Sequence, residues 1–592
     1  MAEAIVSPGV FQRETDQSFI TPAPVEVGAA IVGPTVRGPV EQPTVVSSFA
    51  DYKNKFGTTF TSASENLEFL TSIAAQKFFS NGGNSMLVTR VGSGSFTTAT
   101  STNITASSGA VGSTIEDEHT DPFILTTLGK GDVLNNSTAV TDGGQQYGDG
   151  SLTTGSKDNL RWEVSGINNT AGTFNLTIRR GDDNSNNKIV LETFVGCSLD
   201  PKTDNYISKL IGDQYGAPTT MEGQTSIRIN GDYPNKSKFV RVSSVDLQTS
   251  DYIRNDGTVG WSDSSETISY SGSLPQSQSG SFFGATGNNI PADEQLRMFE
   301  NIDSSNTQGL AATDYTTAFN ILENKDEYRF ATLTTPGAYN ADYGGVVAAA
   351  IALCEGRGDC FYIADMVPYD STVATVTAEA GELNTNFAGT YWPWVKVPST
   401  ELSRNVWAPA STVMQGVYAA NDKVAAPWFA PAGLNRGGLP IVRTEFKVAQ
   451  ALRDTLYDNK VNPLATFPRV GPVAYGQKTL QKKASALDRI NVRRLLISLK
   501  NFIGDTSKQL VFEQNTTVTR NRFLNAVNPF LESVQQRQGL FAFRVVMDES
   551  NNTADAIDRN QLVGQIFIQP TRTAEYIILD YTIQPTGATF ND

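Results

Sequence analysis

The sequence predicts an α/β (α+β) multidomain protein. An α/β core domain is interrupted by a β-rich insertion, and a C-terminal α+β domain follows, with an arm at each terminus. Three observations carry this reading. Apolar strand and helix patterns alternate over residues 23–91 and again over 325–468. Between them the composition shifts to Ser, Thr, Asn and Gly, with turn signals closely spaced. Finally, the chain closes on a strand whose apolar residues fall on one face only.

The elements follow in order. Residues 1–22 contain Ser7-Pro8-Gly9, end near Pro22 and Pro24, and carry only scattered apolar residues, so this arm cannot fold alone. Val27–Val32 is an apolar run closed by Gly33-Pro34, a buried strand and its turn. Ser62 with Glu65 forms a capping-box pattern, which predicts a helix with Leu67, Leu70, Ala74 and Phe78 on one face. Asn81-Gly82-Gly83 ends it, and Met86–Val91 is the next strand. The block 92–324 divides near Asp200-Pro201 into an outer insertion, 92–200, and a second one, 201–324. Its flanks, Val91 and Tyr328, are expected at adjacent ends of neighbouring strands.

The α/β pattern resumes with strand Tyr328–Leu333, a helix around Val346–Cys354, strand Cys360–Ala364 and a strand through Tyr391–Val397. A C-terminal domain then covers 469–574. In it Arg489–Ile503 carries an apolar stripe of Val492, Leu495, Leu496 and Leu499. Thr519–Val534 has Phe523, Val527, Phe530 and Val534 at helical spacing, with Pro529 expected to kink or divide it. Leu540–Met547, Leu562–Gln569 and Glu575–Gln584 read as strands, the last belonging to an arm, 575–592.

Composition narrows function. There are 592 residues, with 46 Lys and Arg against 61 Asp and Glu, a net charge of −15. An acidic chain is poorly suited to general nucleic-acid binding, which needs cations to displace counterions. One histidine, His119, nearly excludes His-dependent triads and His metal clusters. Three cysteines make no disulfide framework, and Cys354 and Cys360 read as reduced, partly buried thiols. The start lacks a signal peptide, and the longest apolar run, Val346–Cys354, falls far short of the ~20 residues of a membrane span. No phosphate-binding loop, dinucleotide fingerprint or nucleophile elbow occurs. Asp182, Asn184 and Asn186 imitate a calcium loop, but Asn187 and Thr193 stand where Gly and Glu are needed, which leaves a polar hairpin tip. The expectation is a large, soluble, cytoplasmically made protein that is not an enzyme, with no cofactor and no metal.

One charge feature opposes the overall balance. Residues 469–508 carry nine cations and two anions, a local +7. At helical spacing Arg489, Arg493 and Lys500 share one face, a basic ridge suited to an acidic partner surface or simply to solvent.

Several ordered segments carry a resemblance. They are Ser7-Pro8-Gly9-Val10, AAIVGPTVRGP at 29–39, FFSNGG at 78–83 running into LVTRV at 87–91, and APWFAPAGLNRG at 426–437. VNPLATFPRVGPVAYGQKTL at 461–480, LDRINVRRLLISLK at 487–500, FRVVMDESNNT at 543–553 and IDRNQLVGQIFIQPTRTAEYIIL at 557–579 follow. In this order they resemble the contractile tail sheath proteins of myovirus-type bacteriophages, over roughly 5–91 and 325–585. Residues 92–324 match nothing in that pattern. Leu510-Val-Phe-Glu-Gln514 departs from it, since the family often has Pro after the Glu.

The resemblance implies a structural subunit that stacks as hexameric rings around a tail tube and contracts to drive the tube through the host envelope. It implies self-association, tail tube, baseplate and tail terminator partners, a virion location, no direct nucleic acid and no membrane insertion. Arms of such proteins lend strands to neighbouring subunits, which here points to Val10 and to Ile577, Leu579, Tyr581 and Ile583. The ridge Arg489, Arg493 and Lys500 would then face the tube. A sheath of a type VI secretion system or R-type bacteriocin is the nearest alternative, and a virion-associated hydrolase housed in the insertion is the enzyme alternative.

Overall fold

The computed structural model describes residues 27–62, 65–107, 121–136, 146–253, 257–260, 270–288, 302–304 and 306–578. Its centre is an eight-stranded sheet. The strands lie in the order Thr44–Val46, Met86–Arg90, Val27–Gly33, Phe330–Tyr339, Phe361–Asp365, Ala388–Trp392, Val461–Phe467 and Gly471–Ala474. The inner pairings are parallel and the two outermost are antiparallel. Strands buried on both faces explain the unbroken apolar runs. Along Val27–Gly33, Ala29 and Ile31 join a cluster with Tyr52, Phe56 and Phe78. Ala30 and Val32 join the largest core, with Leu333, Val347 and Val417.

The capping-box expectation fails. Ser62 and Glu65 are cross-strand partners in a hairpin, Thr59–Ser62 with Glu65–Glu68. The helix begins later, at Leu70, and runs to Ser80. Ser, Thr and Glu suit a hairpin tip as well as a cap, so the motif alone cannot decide. The expected strand Tyr391–Val397 is two strands, Ala388–Trp392 and Val395–Ser399, which belong to different sheets. Pro393 stands between them, and a residue without an N–H is a natural break. Pro529, by contrast, does not divide its helix, which runs unbroken from Thr517 to Gln536. Pro529 and Asn525, whose carbonyl loses its partner, are both exposed, so water satisfies that carbonyl.

The insertion is organised differently from the expectation. Its seven-stranded sheet takes strands from Thr98–Ser101 through Val190–Ser198 to Gln278–Phe283, on both sides of Asp200. One apolar core holds Trp162, Phe174, Val240 and Phe282 together. Asp200 is therefore no boundary within this sheet. The segment 302–322 lies outside it, because Ile302, Leu310, Tyr315 and Phe319 are buried in the α/β core.

The flanks also differ from the expectation. Met86–Arg90 and Phe330–Tyr339 lie on opposite sides of Val27–Gly33, with Arg90 level with Gly33 and Phe330 level with Val27. Val91 and Tyr328 thus lie beyond opposite ends of parallel strands, and the strand ends Arg90 and Phe330 are already about 20 Å apart along the strand at ~3.3 Å per residue. The chain enters the insertion sheet at Thr97 and leaves it at Thr286. Each backbone N–H of this pair is bonded to the other residue, and the two hydroxyls are 2.9 Å apart.

The calcium-loop mimic is a turn. Asn184 Oδ1 accepts the backbone N–H groups of Asn186 and Asn187, and Asp182 pairs with Arg180. The neighbouring Asp183 is buried and accepts from Arg161, from Arg179 and from the N–H of Ile189. Among the described residues no acidic, His or Cys group could hold a metal, and no helix is long and apolar enough to cross a membrane.

Candidate assembly surfaces

The C-terminal unit is built on helix Ile490–Lys508, which has two apolar faces. Leu495 and Leu499 pack with Phe523, Val527, Leu531 and Val534 of the following helix. Ile490 and Ile497, seven residues apart, join the α/β core instead. One helix is thereby shared between two cores. Phe502 stacks on Phe530 at 3.7 Å between ring centres.

Leu540–Val546 and Gln565–Pro570 form an antiparallel hairpin against this unit. Leu540, Phe543, Ile566 and Ile568 face the core, while Phe541 and Phe567 face out, 76% and 56% exposed. Among the described residues this sheet has two strands only, so neither outer edge has a strand partner, although the Phe541 and Val546 carbonyls accept from Gln535 and Asn551 side chains.

The chain then leaves the hairpin. Residues 571–578 form no strand, in contrast to the Glu575–Gln584 expectation over this stretch. Leu579, Tyr581 and Ile583, and Val10 of the other arm, lie outside the described residues. Tyr576, Ile577 and Ile578 are 77%, 79% and 83% exposed. Three consecutive large apolar side chains in water are costly, at about 25 cal/mol per Å² of apolar surface left uncovered. Beside Thr573, whose hydroxyl accepts from Gln477 Nε2, Glu575 fixes the start of this segment. Glu575 accepts Nε and Nη2 of Arg489 at 2.7 and 2.9 Å, Tyr457 Oη at 2.9 Å and Gln477 Nε2 at 3.0 Å. Partial burial pushes its carboxyl up, but the hydrogen bonds from Arg489, Gln477 and Tyr457 and the Arg489 charge together outweigh burial and hold it below the ordinary carboxylate range.

The basic ridge does not form as a continuous exposed surface. Arg489 is turned onto Glu575 and Asp488. Arg493 is only 3% exposed, its guanidinium 3.7 Å from the centre of the Phe387 ring, and it donates to Asn386 Oδ1 at 3.2 Å. Burial lowers its pKa to about 10. Lys500 alone of the three is exposed, in a cleft of about 270 Å³ between this helix and the start of strand Phe330–Tyr339. Helical spacing places the three together, but Phe387 and Asn386, more than a hundred residues earlier, cover the middle one.

Residues 482–584 match the phage tail sheath C-terminal domain family. That span holds the shared helix, its partner, the hairpin and Glu575. The resemblance to tail sheath proteins stands. The tail sheath protein of Vibrio phage KVP40 is 41% identical over 188 residues, 32% of this chain and 28% of that protein. That of Enterobacteria phage T4 is 40% identical over 189 residues, 32% of this chain and 29% of that one. The chain thus matches less than a third of the length of these relatives. A crystal structure of a sheath tail protein from Listeria innocua aligns over 89% of this chain and 90% of its own. Its TM-score is 0.50 at 11% identity, a likeness of fold.

Proposed function

We propose that this chain is a structural subunit of a phage contractile tail sheath. It polymerises with copies of itself as stacked hexameric rings around a tail tube, between baseplate and terminator, and contracts to push the tube through the host envelope. The observation that carries this reading is the hairpin with two open edges beside an exposed apolar segment, within the span that matches the sheath domain. Strand edges and unburied apolar residues on one unit are complementary between copies, since a donated strand satisfies the first and covers the second. Residues from Tyr576 onward, including Ile577, Leu579, Tyr581 and Ile583, and the arm around Val10 are the proposed donors. Arg489 and Arg493 serve inside the subunit, which leaves Lys500 as the ridge residue available to a tube.

The domain division follows this reading: an N-terminal arm, the α/β core, the insertion, a C-terminal assembly domain and a C-terminal arm. Negative-stain microscopy of the purified chain tests the proposal. Hollow striated tubes are expected, while uniform monomers at every concentration and salt tried would refute self-assembly.

A further inference from the structure

Cys354, in the last turn of helix Asn340–Arg357, and Cys360, immediately before strand Phe361–Asp365, are both buried, and their sulfurs are 3.3 Å apart. Both are free thiols. A disulfide needs about 2.05 Å, so the sulfurs must approach by roughly 1.3 Å. The segment between them contains two glycines, Gly356 and Gly358. Gly358 takes the left-handed conformation that ends the helix, and its N–H caps the carbonyl of Cys354 at 2.9 Å. A β-carbon on either glycine would meet nothing within 4 Å, so the turn has room to adjust. The same turn, Arg357 to Asp359, forms one wall of the cleft that Lys500 lines. A small oxidant therefore reaches the outer side of the turn that covers the thiols.

We infer that Cys354 and Cys360 are a peroxide-sensitive pair that closes to an intramolecular disulfide in the folded chain. One thiol attacks the peroxide oxygen; the O–O bond breaks, a sulfenic acid forms and water leaves. The second thiol then attacks the sulfenic sulfur, the S–S bond forms and a second water leaves. The two sulfurs supply two electrons and the peroxide accepts them. Burial holds the Cys360 thiol well above its ordinary range, so the thiolate is scarce and the reaction slower than for a solvated dithiol. The proximity of the resolving thiol diverts the sulfenic acid from further oxidation. Cys197, buried in the insertion core, has no such neighbour.

The full-length folded chain is treated with hydrogen peroxide at neutral pH, quenched, denatured and labelled with a maleimide. Labels are expected to fall from three per chain to one, retained on Cys197, with an intact mass lower by two hydrogens and full recovery under a thiol reductant. Cys354→Ser should keep two labels or gain oxygen at Cys360, and never lose the hydrogen pair. The inference is overturned if the folded chain keeps three labels while the denatured chain reacts. It is equally overturned if oxygen is added to either cysteine without cross-linking, or if Cys197 enters the bridge.

Discussion

The central sheet and the C-terminal hairpin treat their edges in opposite ways. At one end of the eight-stranded sheet, Gly471–Ala474 is closed by the loop 433–439. There Gly433 and Leu439 donate to Ala474 and Pro472, and Ala474 donates to Gly437. The other end is a strand of only three residues, Thr44–Val46. Short or covered edges prevent unwanted pairing. The hairpin Leu540–Val546 with Gln565–Pro570 has neither protection, and its exposed face carries Phe541 and Phe567. A chain that seals one sheet and leaves another open sets a body closed on itself beside a surface that, on the proposed reading, pairs with another copy.

The sharpest way to break this comparison is to remove the segment that would cover the open surface. Deleting residues 576–592 keeps Glu575 and its four hydrogen bonds, so the body should melt within about 1 kcal/mol of the parent, as for surface changes. Assembly should be lost altogether, because a missing donated strand removes a row of backbone hydrogen bonds at every contact. Sedimentation reads both outcomes: tubes from the deleted chain would close the case against strand donation.

The next largest effect tests whether the helix shared by the two regions is interior on both sides. Arg493→Glu places an uncompensated carboxylate against Phe387, and a destabilisation of roughly 3–5 kcal/mol is expected. Arg493→Met keeps the stem packing and loses the ring contact, for about 1 kcal/mol. Denaturant titration separates them. A charge reversal that left stability unchanged and disturbed only binding to tubes would restore Arg493 as a surface cation.

Arg493 also marks what the sequence made legible. The 3.6-residue period found this helix and its Leu495 and Leu499 face, because the signal is local. Its second face, Ile490 and Ile497, is equally periodic, yet only the presence of another core beside the helix gives it meaning. The same holds for Glu575. Its sequence context, just before Tyr576, Ile577 and Ile578, reads as a strand, while its partners Arg489, Tyr457 and Gln477 are 86 or more residues away. Strand alternation at 575–583 was visible, but a strand needs a partner edge, and the described body does not supply one to residues 571–578. A break near Asp200-Pro201 is a reading of local sequence, whereas the sheet around it is held by pairings such as Gln278–Val164, which no local pattern encodes.

A third test concerns the insertion, whose seven-stranded sheet packs on an apolar core of its own. Joining Thr97 to Thr286 through one or two glycines removes the seven-stranded sheet at its hydrogen-bonded neck. Loop closure favours the shorter chain only slightly. The cost falls on the body, where Arg90 donates to the carbonyl of Lys130 and Arg37 to that of Asp158. Both arginines become solvated, so the loss should be a few °C in Tm with tubes retained and a smaller outer diameter. Insoluble product would mean that the insertion completes the body's fold.

The smallest effect lies where the closed body meets the open surface. Glu575 has a folded-state pKa held below its ordinary 4.5, and the pKa of Arg489 is raised, so the two shifts agree. For Arg489 burial is the largest single influence and acts downward, and the Glu575 hydrogen bond together with the charges of Tyr457, Glu575 and Asp488 outweighs it. A carboxyl depressed on folding stabilises the folded state above its unfolded pKa. That contribution is lost as pH falls from about 4.5 through the folded value. The pair is partly solvated, so its worth is about 0.5–1 kcal/mol. Glu575→Gln should therefore lower stability by this amount at pH 7 and by less at pH 3, below the unfolded value, as the parent carboxyl takes up its proton. Assembly at pH 7 should weaken more than folding does, because every donated segment departs from this anchored residue. Equal losses at both pH values would show that Glu575 acts by packing and hydrogen bonding alone, independently of its charge.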